Sequence, residues 1–429
     1  MSDEPSQAEP GEDNFRRRAR AWLAGNASRL GSPEVQAETR HKYHPDRLAA
    51  GYDFHHRLWD AGFAGLTCPI EYGGRGLPQR YQEIWDEEAA PYELPPHGSG
   101  ASLGIALPLL LAYGSEALKR EHIPRILRAE GSWCQFLSEP AAGSDLAGVR
   151  TTAVRDGDEF VINGAKVWTS GAHFAYCAMC LVRTDPDVPK HQGLTMVVVP
   201  IPAPGIEIRP IRNINGGSDF NEVFLDDVRV PVANVFGAVG DGWRVTQAML
   251  GFERRMLGTG SISGGASGAL PPQDLVDLAT HHGRVGEPEV RQLIADVWVH
   301  TVVAAETAAR CREAIQAGTI SPQFGSALKL FSEDLVSRRA EAAMTIAGPA
   351  GVAWPADEPG GGRWMTAYLT ARAASIGGGS TEIQRNIVGE RVLGLPREPQ
   401  FDRDVPFREV PFGQGTTKTP DVSTDLETS

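Results

Sequence analysis

The sequence predicts an α+β protein in three parts: an N-terminal helical domain, a middle β-barrel-like domain and a C-terminal helical bundle. Two changes of hydrophobic period predict it. Apolar residues recur at helical spacing from about 13 to 132, at spacing two from 133 to 240, and at helical spacing again beyond Gly242. A chain of 429 residues also exceeds a single average domain and can bury a large core in two or three units. The expected domains are therefore 13–132, 133–240 and 241–400. Polar tails at 1–12 and 410–429 have little to bury and are expected to be disordered.

The elements follow in order. His55-His56-Arg57-Leu58-Trp59 lies in an amphipathic helix, and Leu103 to Tyr113 is apolar nearly all round, as a buried helix would be. Between them Pro69 and Tyr72-Gly73-Gly74-Arg75-Gly76 mark a loop. In the middle part, Val154 to Ile162 reads as a hairpin turning at Asp156-Gly157. Phe174–Val182, Gly193–Val199 and Gly205–Arg209 are further strands, with Pro200 and Pro202 breaking the last two apart. Gly237-Ala238-Val239-Gly240-Asp241-Gly242 is a turn into the next helix, since its spacing reverses the dinucleotide fingerprint and no βαβ unit precedes it. Leu293, Val297, Thr301 and Ala304 then repeat at helical spacing, as do Leu328, Phe331, Leu335 and Ala342, with a loop at Asp357–Gly362.

Composition narrows the function. Hydrophobic residues at 41% and charged residues at 22% are ordinary for a globular protein. No apolar run approaches the roughly 18 residues of a membrane span. The acidic start, Met1-Ser2-Asp3-Glu4-Pro5, lacks a signal peptide's basic and apolar regions, so a cytoplasmic location is expected. A net charge of −13 argues against nucleic acid or an anionic membrane as partner, though not against a small anionic ligand held by local donors. The cysteines are Cys68, Cys134, Cys177, Cys180 and Cys311. Cys177 and Cys180 have CxxC spacing, but no second Cys/His pair follows, so no metal site is expected and both read as core residues of a strand.

The chemistry concentrates in a few runs. Gly377-Gly378-Gly379 leads into a helix start with Ser380 or Thr381 as cap, where bare backbone N–H groups and the helix N-terminus favour an anionic ligand. Phe136-Leu137-Ser138-Glu139-Pro140-Ala141-Ala142-Gly143-Ser144-Asp145 supplies short hydroxyls and a glycine for close approach. Lys166-Val167-Trp168-Thr169-Ser170-Gly171 supplies a large flat ring and a hydroxyl donor. Taken alone, Trp168 would be a half-buried strand tryptophan and Ser144-Asp145 a capped turn. Together these runs, with Glu222 to Pro231 and the ending Gly394-Leu395-Pro396-Arg397, resemble the acyl-CoA dehydrogenase family in its motif order over roughly 15–400. Phe136 stands where that family usually has a small residue.

The resemblance implies a bound FAD, contacted by Gln135, Leu137, Ser138, Ser144, Trp168, Thr169, Ser170, Ser380 and Glu382. It also implies an acyl-CoA substrate near Ser144, Arg254 and Gly379. An electron-transfer flavoprotein would be the electron acceptor, and the chain would assemble as a homo- or hetero-oligomer, dimer or tetramer. The family's Arg-x-x-Phe-Gly loop, which reaches the pyrophosphate of a neighbouring FAD, is replaced here by His281-His282-Gly283-Arg284-Val285-Gly286, leaving Arg284 as its substitute.

Removing the α-proton of a thioester requires a base. Many members of the family carry a catalytic glutamate where this chain has Gly378. The alternative is Glu253, beside the expected core stripe Val245, Met249, Phe252 and Met256, flanked by Leu250 and Leu257; such surroundings would raise its pKa, opposed by Arg254. For an arbitrary Glu-Arg pair a surface salt bridge is the simpler reading. One family branch, which includes isovaleryl-CoA dehydrogenase, places its base on this helix as Glu followed by Arg and has glycine at the other position. By that resemblance Glu253 is the base, and Gly378 leaves room for a branched or ring-bearing acyl group. Gly378 or Gly379 can also offer a backbone N–H to the thioester oxygen. The expected reaction is FAD-dependent α,β-dehydrogenation of an acyl-CoA to the trans-2-enoyl-CoA. The alternatives are another flavin-dependent oxidation or oxygenation on the same fold, or a non-catalytic subunit of a heterotetramer.

Overall fold

The computed structural model describes residues 11–29, 44–95, 100–259, 272–353, 361–397, 399 and 402–411, with 254–259, 361 and 363 as backbone only. Residues 1–10, 412–429 and most of the loop expected at Asp357–Gly362 lie outside these. Glu12 opens the first helix and Val410 accepts a hydrogen bond from Arg150, so neither belongs to a tail.

The first part is helical. Helix α1 (Glu12–Asn26) buries Phe15, Ala19 and Leu23 one turn apart. Helices α2 (Pro45–Asp60) and α3 (Gln79–Ala89) pack with it around Phe63, whose ring stacks on Trp85 at 5.0 Å. Strands β1 (Ser28–Arg29) and β2 (Tyr92–Glu93) pair antiparallel beneath them. The helix expected over Leu103–Tyr113 is split. Ser102–Ala106 forms a wider π turn, and α4 (Leu107–Tyr113) begins there with Pro108 in its first turn, where a missing N–H does no harm. Leu109 and Leu110 are buried but Ala112 is exposed, so the segment is covered on one side only. Helix α5 (Glu116–Leu127) follows, capped by the Ser115 hydroxyl.

A seven-stranded curled sheet fills the middle. β3 (Ser132–Phe136) runs parallel to β6 (Ala175–Arg183), which also pairs antiparallel with β7 (Leu194–Pro200). β4 (Thr152–Asp156) and β5 (Glu159–Lys166) form the expected hairpin, closing at Asp156 and Glu159 with Gly157 at φ +63°. β5 pairs with β9 (Phe220–Pro231), and β9 with β8 (Ile206–Ile211). A single pairing of Thr152 with Arg183 brings β4 onto β6 and curls the sheet. Alternation along β6 sends Cys177, Met179 and Leu181 toward the helices and Ala178, Cys180 and Val182 into the hollow of the sheet. Cys177 and Cys180 therefore point to opposite faces and cannot share a metal.

The turn at Gly237 and Gly240, with φ of +72° and +90°, leads into α6 (Gly242–Thr259). A Cβ at Gly242 would stand 2.5 Å from the Leu194 carbonyl carbon, so only glycine lets α6 start against β7. Helices α7 (Gln273–His281), α8 (Pro288–Gln316) and α9 (Gly325–Ala347) share a core of Leu275, Val290, Val297, Ala343 and Ile346. α10 (Pro349–Val352), α11 (Gly361–Ala371) and α12 (Thr381–Ile387) complete the bundle, and Gly361 and Gly362 open α11 instead of lying in a loop. Among the described residues no helix is long and apolar enough to cross a membrane.

One ion pair ties the strands to the loop after β3. The fully buried Lys166 Nζ donates to Glu139 at 2.8 Å and to the carbonyls of Leu137 and Leu181 at 3.1 and 2.7 Å. Glu139 also accepts from the backbone N–H groups of Arg150 and Thr151 at 2.6 and 2.9 Å. Burial alone would push this carboxyl up, but the Lys166 charge and these donors outweigh it and hold it below the usual range. Lys166→Met would strand a buried carboxylate, and we expect chemical denaturation to show a loss of about 3–5 kcal/mol. Because the folded-state pKa is depressed, the stability due to Glu139 is complete above the ordinary carboxylate pKa of about 4.3. It is lost as pH falls through the lower folded value, and this acid-side loss should shrink in Glu139→Gln.

Candidate active site

Alternation in β3 decides what faces the helices. Trp133, Gln135 and Leu137 point toward them, whereas Cys134 and Phe136 turn into the hollow of the sheet. Phe136, which departs from the family motif, therefore fills the sheet interior and does not shape the cavity. Between β3, α6 and the segment 373–391 lies a cavity of about 1230 Å³ that continues past Leu103 to α2 and α3. It exceeds the roughly 300–1,000 Å³ of a typical small-molecule pocket.

Glu253 stands in its wall. On α6, Val245 and Met249 are fully buried against the sheet and Phe252 packs beside them. Trp243, Gln247, Leu250 and Glu253 form the adjoining stripe that lines the cavity. The Gln135 amide donates to Glu253 Oε2 at 3.4 Å, joining α6 to β3. The side chain of Arg254 lies outside the described residues.

The glycine run also lines the cavity. Gly378 and Gly379 take φ of +69° and +94°, a pair of left-handed residues that side chains disfavour. Ser380 caps α12 by accepting from Ile383 N–H, which resolves the choice between Ser380 and Thr381. Thr381 instead donates to Glu333 of α9 at 2.7 Å, bracing the turn. Gln384, which the sequence did not single out, is 1% exposed and donates to the Gly378 carbonyl at 2.8 Å. Its Oε1 has no partner among the described residues, although Gln384 sits in the cavity wall.

The sheet contributes Ser138, Gly143, Ser144, Trp168 and Ser170. The two motifs meet through Val167 N–H, which donates to the Ser138 carbonyl at 2.9 Å. Trp168 is not a strand residue. It follows the end of β5 with φ +61°, which turns its ring out, 60% exposed and edge-on to Phe220. Three expected contacts stand off the cavity. Thr169 is turned inward and its backbone is fixed by Asn221 at 3.1 and 2.9 Å. Glu382 is exposed, held below the usual carboxylate range by its own backbone N–H and the Ser380 hydroxyl. Arg284 pairs with Glu287 at 2.8 Å and caps the end of α9 through the carbonyls of Thr345 and Ile346.

This arrangement has relatives. The chain matches the acyl-CoA dehydrogenase N-terminal domain over residues 11–130, the middle domain over 134–228 and the C-terminal domain over 240–393. The chain belongs to the acyl-CoA dehydrogenase family. It is 38% identical over 407 residues to acyl-CoA dehydrogenase IpdE1 of Mycobacterium tuberculosis, covering 90% of this chain and 98% of that one. It is 30% identical to acyl-CoA dehydrogenase FadE29 of the same organism, again covering 90% and 98%. Among solved structures, the Tcur3481-Tcur3483 steroid ACAD superposes with a TM-score of 0.75 at 28% identity, covering 93% of this chain and 100% of that one.

Acyl-CoA dehydrogenases are flavin-dependent oxidoreductases, and the residues present fit a flavin. Trp168 offers an uncovered flat ring, Ser138 and Ser170 offer hydroxyl donors, and Gln384 Oε1 is a buried acceptor in need of a donor. In Gly379→Ala the new Cβ would meet Gln384 Nε2 at 2.5 Å in a disfavoured backbone conformation. We expect kcat/KM for acyl-CoA oxidation to fall by about ten-fold or more, while Gly389→Ala, whose Cβ meets only Leu395 at 3.6 Å, stays within about two-fold.

Proposed function

We propose that this acyl-CoA dehydrogenase removes the α-proton of a branched or ring-bearing acyl-CoA with Glu253, giving the trans-2-enoyl-CoA. The observation that carries the reading is one cavity lined both by Glu253 and by Gly378, which has no side chain. Gln135 holds one oxygen of Glu253, orienting the carboxylate. The N–H groups of Gly378 and Gly379 are assigned to the thioester oxygen, where negative charge grows as the α-proton leaves. Ser138, Trp168, Ser170 and Ser380 would hold FAD, which when bound supplies the two-electron acceptor for the β-hydrogen, and Ser144 is assigned to the acyl-CoA. The electrons then pass to an electron-transfer flavoprotein.

The acyl group is read from space and from relatives. Gly378 leaves its part of the cavity wall without a side chain, and the cavity extends into the N-terminal helices. Relatives described as a steroid ACAD and as a cyclohexane-1-carbonyl-CoA dehydrogenase favour ring-bearing groups. Anaerobic bleaching by ring-bearing and by short straight acyl-CoAs tests this. The ring-bearing compounds should reduce the flavin faster, whereas bleaching by none would favour a different flavin-dependent oxidation. In Glu253→Gln, single-turnover flavin reduction should fall by about 10²–10⁴-fold, and a near-native rate would remove Glu253 from the mechanism.

An oligomer accompanies this reading, since Trp298, Val299, Val302 and Val303 expose an apolar face on α8. A heteromer with a subunit that does not itself catalyse is the second reading. It is favoured by the engagement of Arg284 with Glu287 and by likeness to the ChsE4-ChsE5 complex of Mycobacterium tuberculosis, at 28% identity and a TM-score of 0.71. Flavin bound per chain, measured with this chain alone, separates the two.

A further inference from the structure

Beyond the region that matches the family, which ends at residue 393, residues 402–411 return to the middle domain. Phe407 is buried there, its N–H donating to the Val188 carbonyl at 2.9 Å. The Arg183 guanidinium lies 3.4 Å from the Phe407 ring centroid, and that of Arg150 lies 4.8 Å away. Arg183 is itself buried, and its guanidinium donates to the carbonyls of Ala147, Val149 and Lys190 at 2.6, 3.2 and 2.9 Å. Burial lowers its pKa to about 10, so it remains a cation at neutral pH. Lys190, also buried, donates to both oxygens of Asp145 at 3.1 Å and to Asp402 at 2.7 Å.

Two buried cations thus grip the loop 143–149 from outside, and the C-terminal segment touches both. The loop needs such a grip. Its own regular structure is one short 3-10 turn, Leu146–Gly148, while Gly143, Ser144 and Leu146 on its inner side line the cavity. A segment with few internal backbone bonds opens at low free energy unless outside contacts restrain it.

We propose that residues 402–411 are a positioning strap: Asp402 and Phe407 hold Lys190 and Arg183, which fix the Asp145 loop so that Ser144 and Leu146 stand at the cavity wall to bind the acyl-CoA. This rests on the cavity being the acyl-CoA site. The strap touches no reacting atom, so its loss weakens substrate binding and leaves the chemical step alone.

The test uses the full-length flavin-loaded protein with Asp402→Asn, Phe407→Ala and, as a control, Arg408→Gln, whose guanidinium pairs with the exposed Asp187. Hydrogen exchange of the 143–149 amides should quicken by about ten-fold in Phe407→Ala and by less in Asp402→Asn. KM for acyl-CoA should rise by about ten-fold in Phe407→Ala with kcat within about two-fold, and the control should change neither. Unchanged exchange in both strap variants overturns the tether. Faster exchange with unchanged KM overturns the positioning role. If no acyl-CoA reduces the flavin of the unaltered protein, the substrate reading fails, and the exchange data still decide whether the strap holds the loop.

Discussion

Strands β6 and β7 have almost no face to show to water. Met179, Leu181, Met196 and Val198 need helices on one side, while Cys180, Val182, Val197 and Val199 need the hollow of the sheet on the other. Two-sided burial gives strands continuous apolar runs and obliges the fold to supply two covers. The sheet supplies one by curling through the Thr152–Arg183 pairing. Helix α6 supplies much of the other, since Val245 and Met249 sit on that outer face. Once α6 lies there, its neighbouring stripe must face the cavity, and Glu253 arrives beside Gln135 of β3. Glu253 is positioned by the need to cover a strand.

Two-sided burial also decides how far the sequence could be read. Periodicity separated helices from strands, and the hairpin at Asp156-Gly157 closes where its turn residues indicate. It also assigned the α6 stripe, because Val245 and Met249 repeat every four residues. Partners across elements left no such trace. Lys166 and Glu139 are 27 positions apart, and nothing local shows that they form one buried pair. Gln384 looked like an ordinary helix residue, yet only the folded turn reveals that it braces Gly378.

Motif neighbours also diverge for a simple geometrical reason. Adjacent residues in extended backbone point to opposite faces, so Gln135 lines the cavity while Phe136 does not. Past the end of β5 the chain turns, and there Ser170 lines the cavity while Thr169 does not. On α12, Ile383 and Gln384 face inward and Glu382 turns back onto its own helix start. Arg284 was read as a long-range contact, but a carboxylate three positions away and the free carbonyls of a helix end lay nearer.

The glycine run joins these strands of the account. Its two left-handed residues make the turn, Gln384 and Glu333 brace it, and Gly378 leaves a stretch of the cavity wall without a side chain. In the proposed mechanism proton removal falls to Glu253 on α6, and the glycines are left with shape and backbone donors. The most direct measurement isolates that proton. An acyl-CoA with sulfur in place of its β-carbon has no β-hydrogen to lose, so only exchange at the α-carbon is seen. In deuterated water the native flavin-loaded protein should exchange the α-protons of such a compound, and Glu253→Gln should exchange them at the uncatalysed rate. Undiminished exchange in Glu253→Gln would contradict the account.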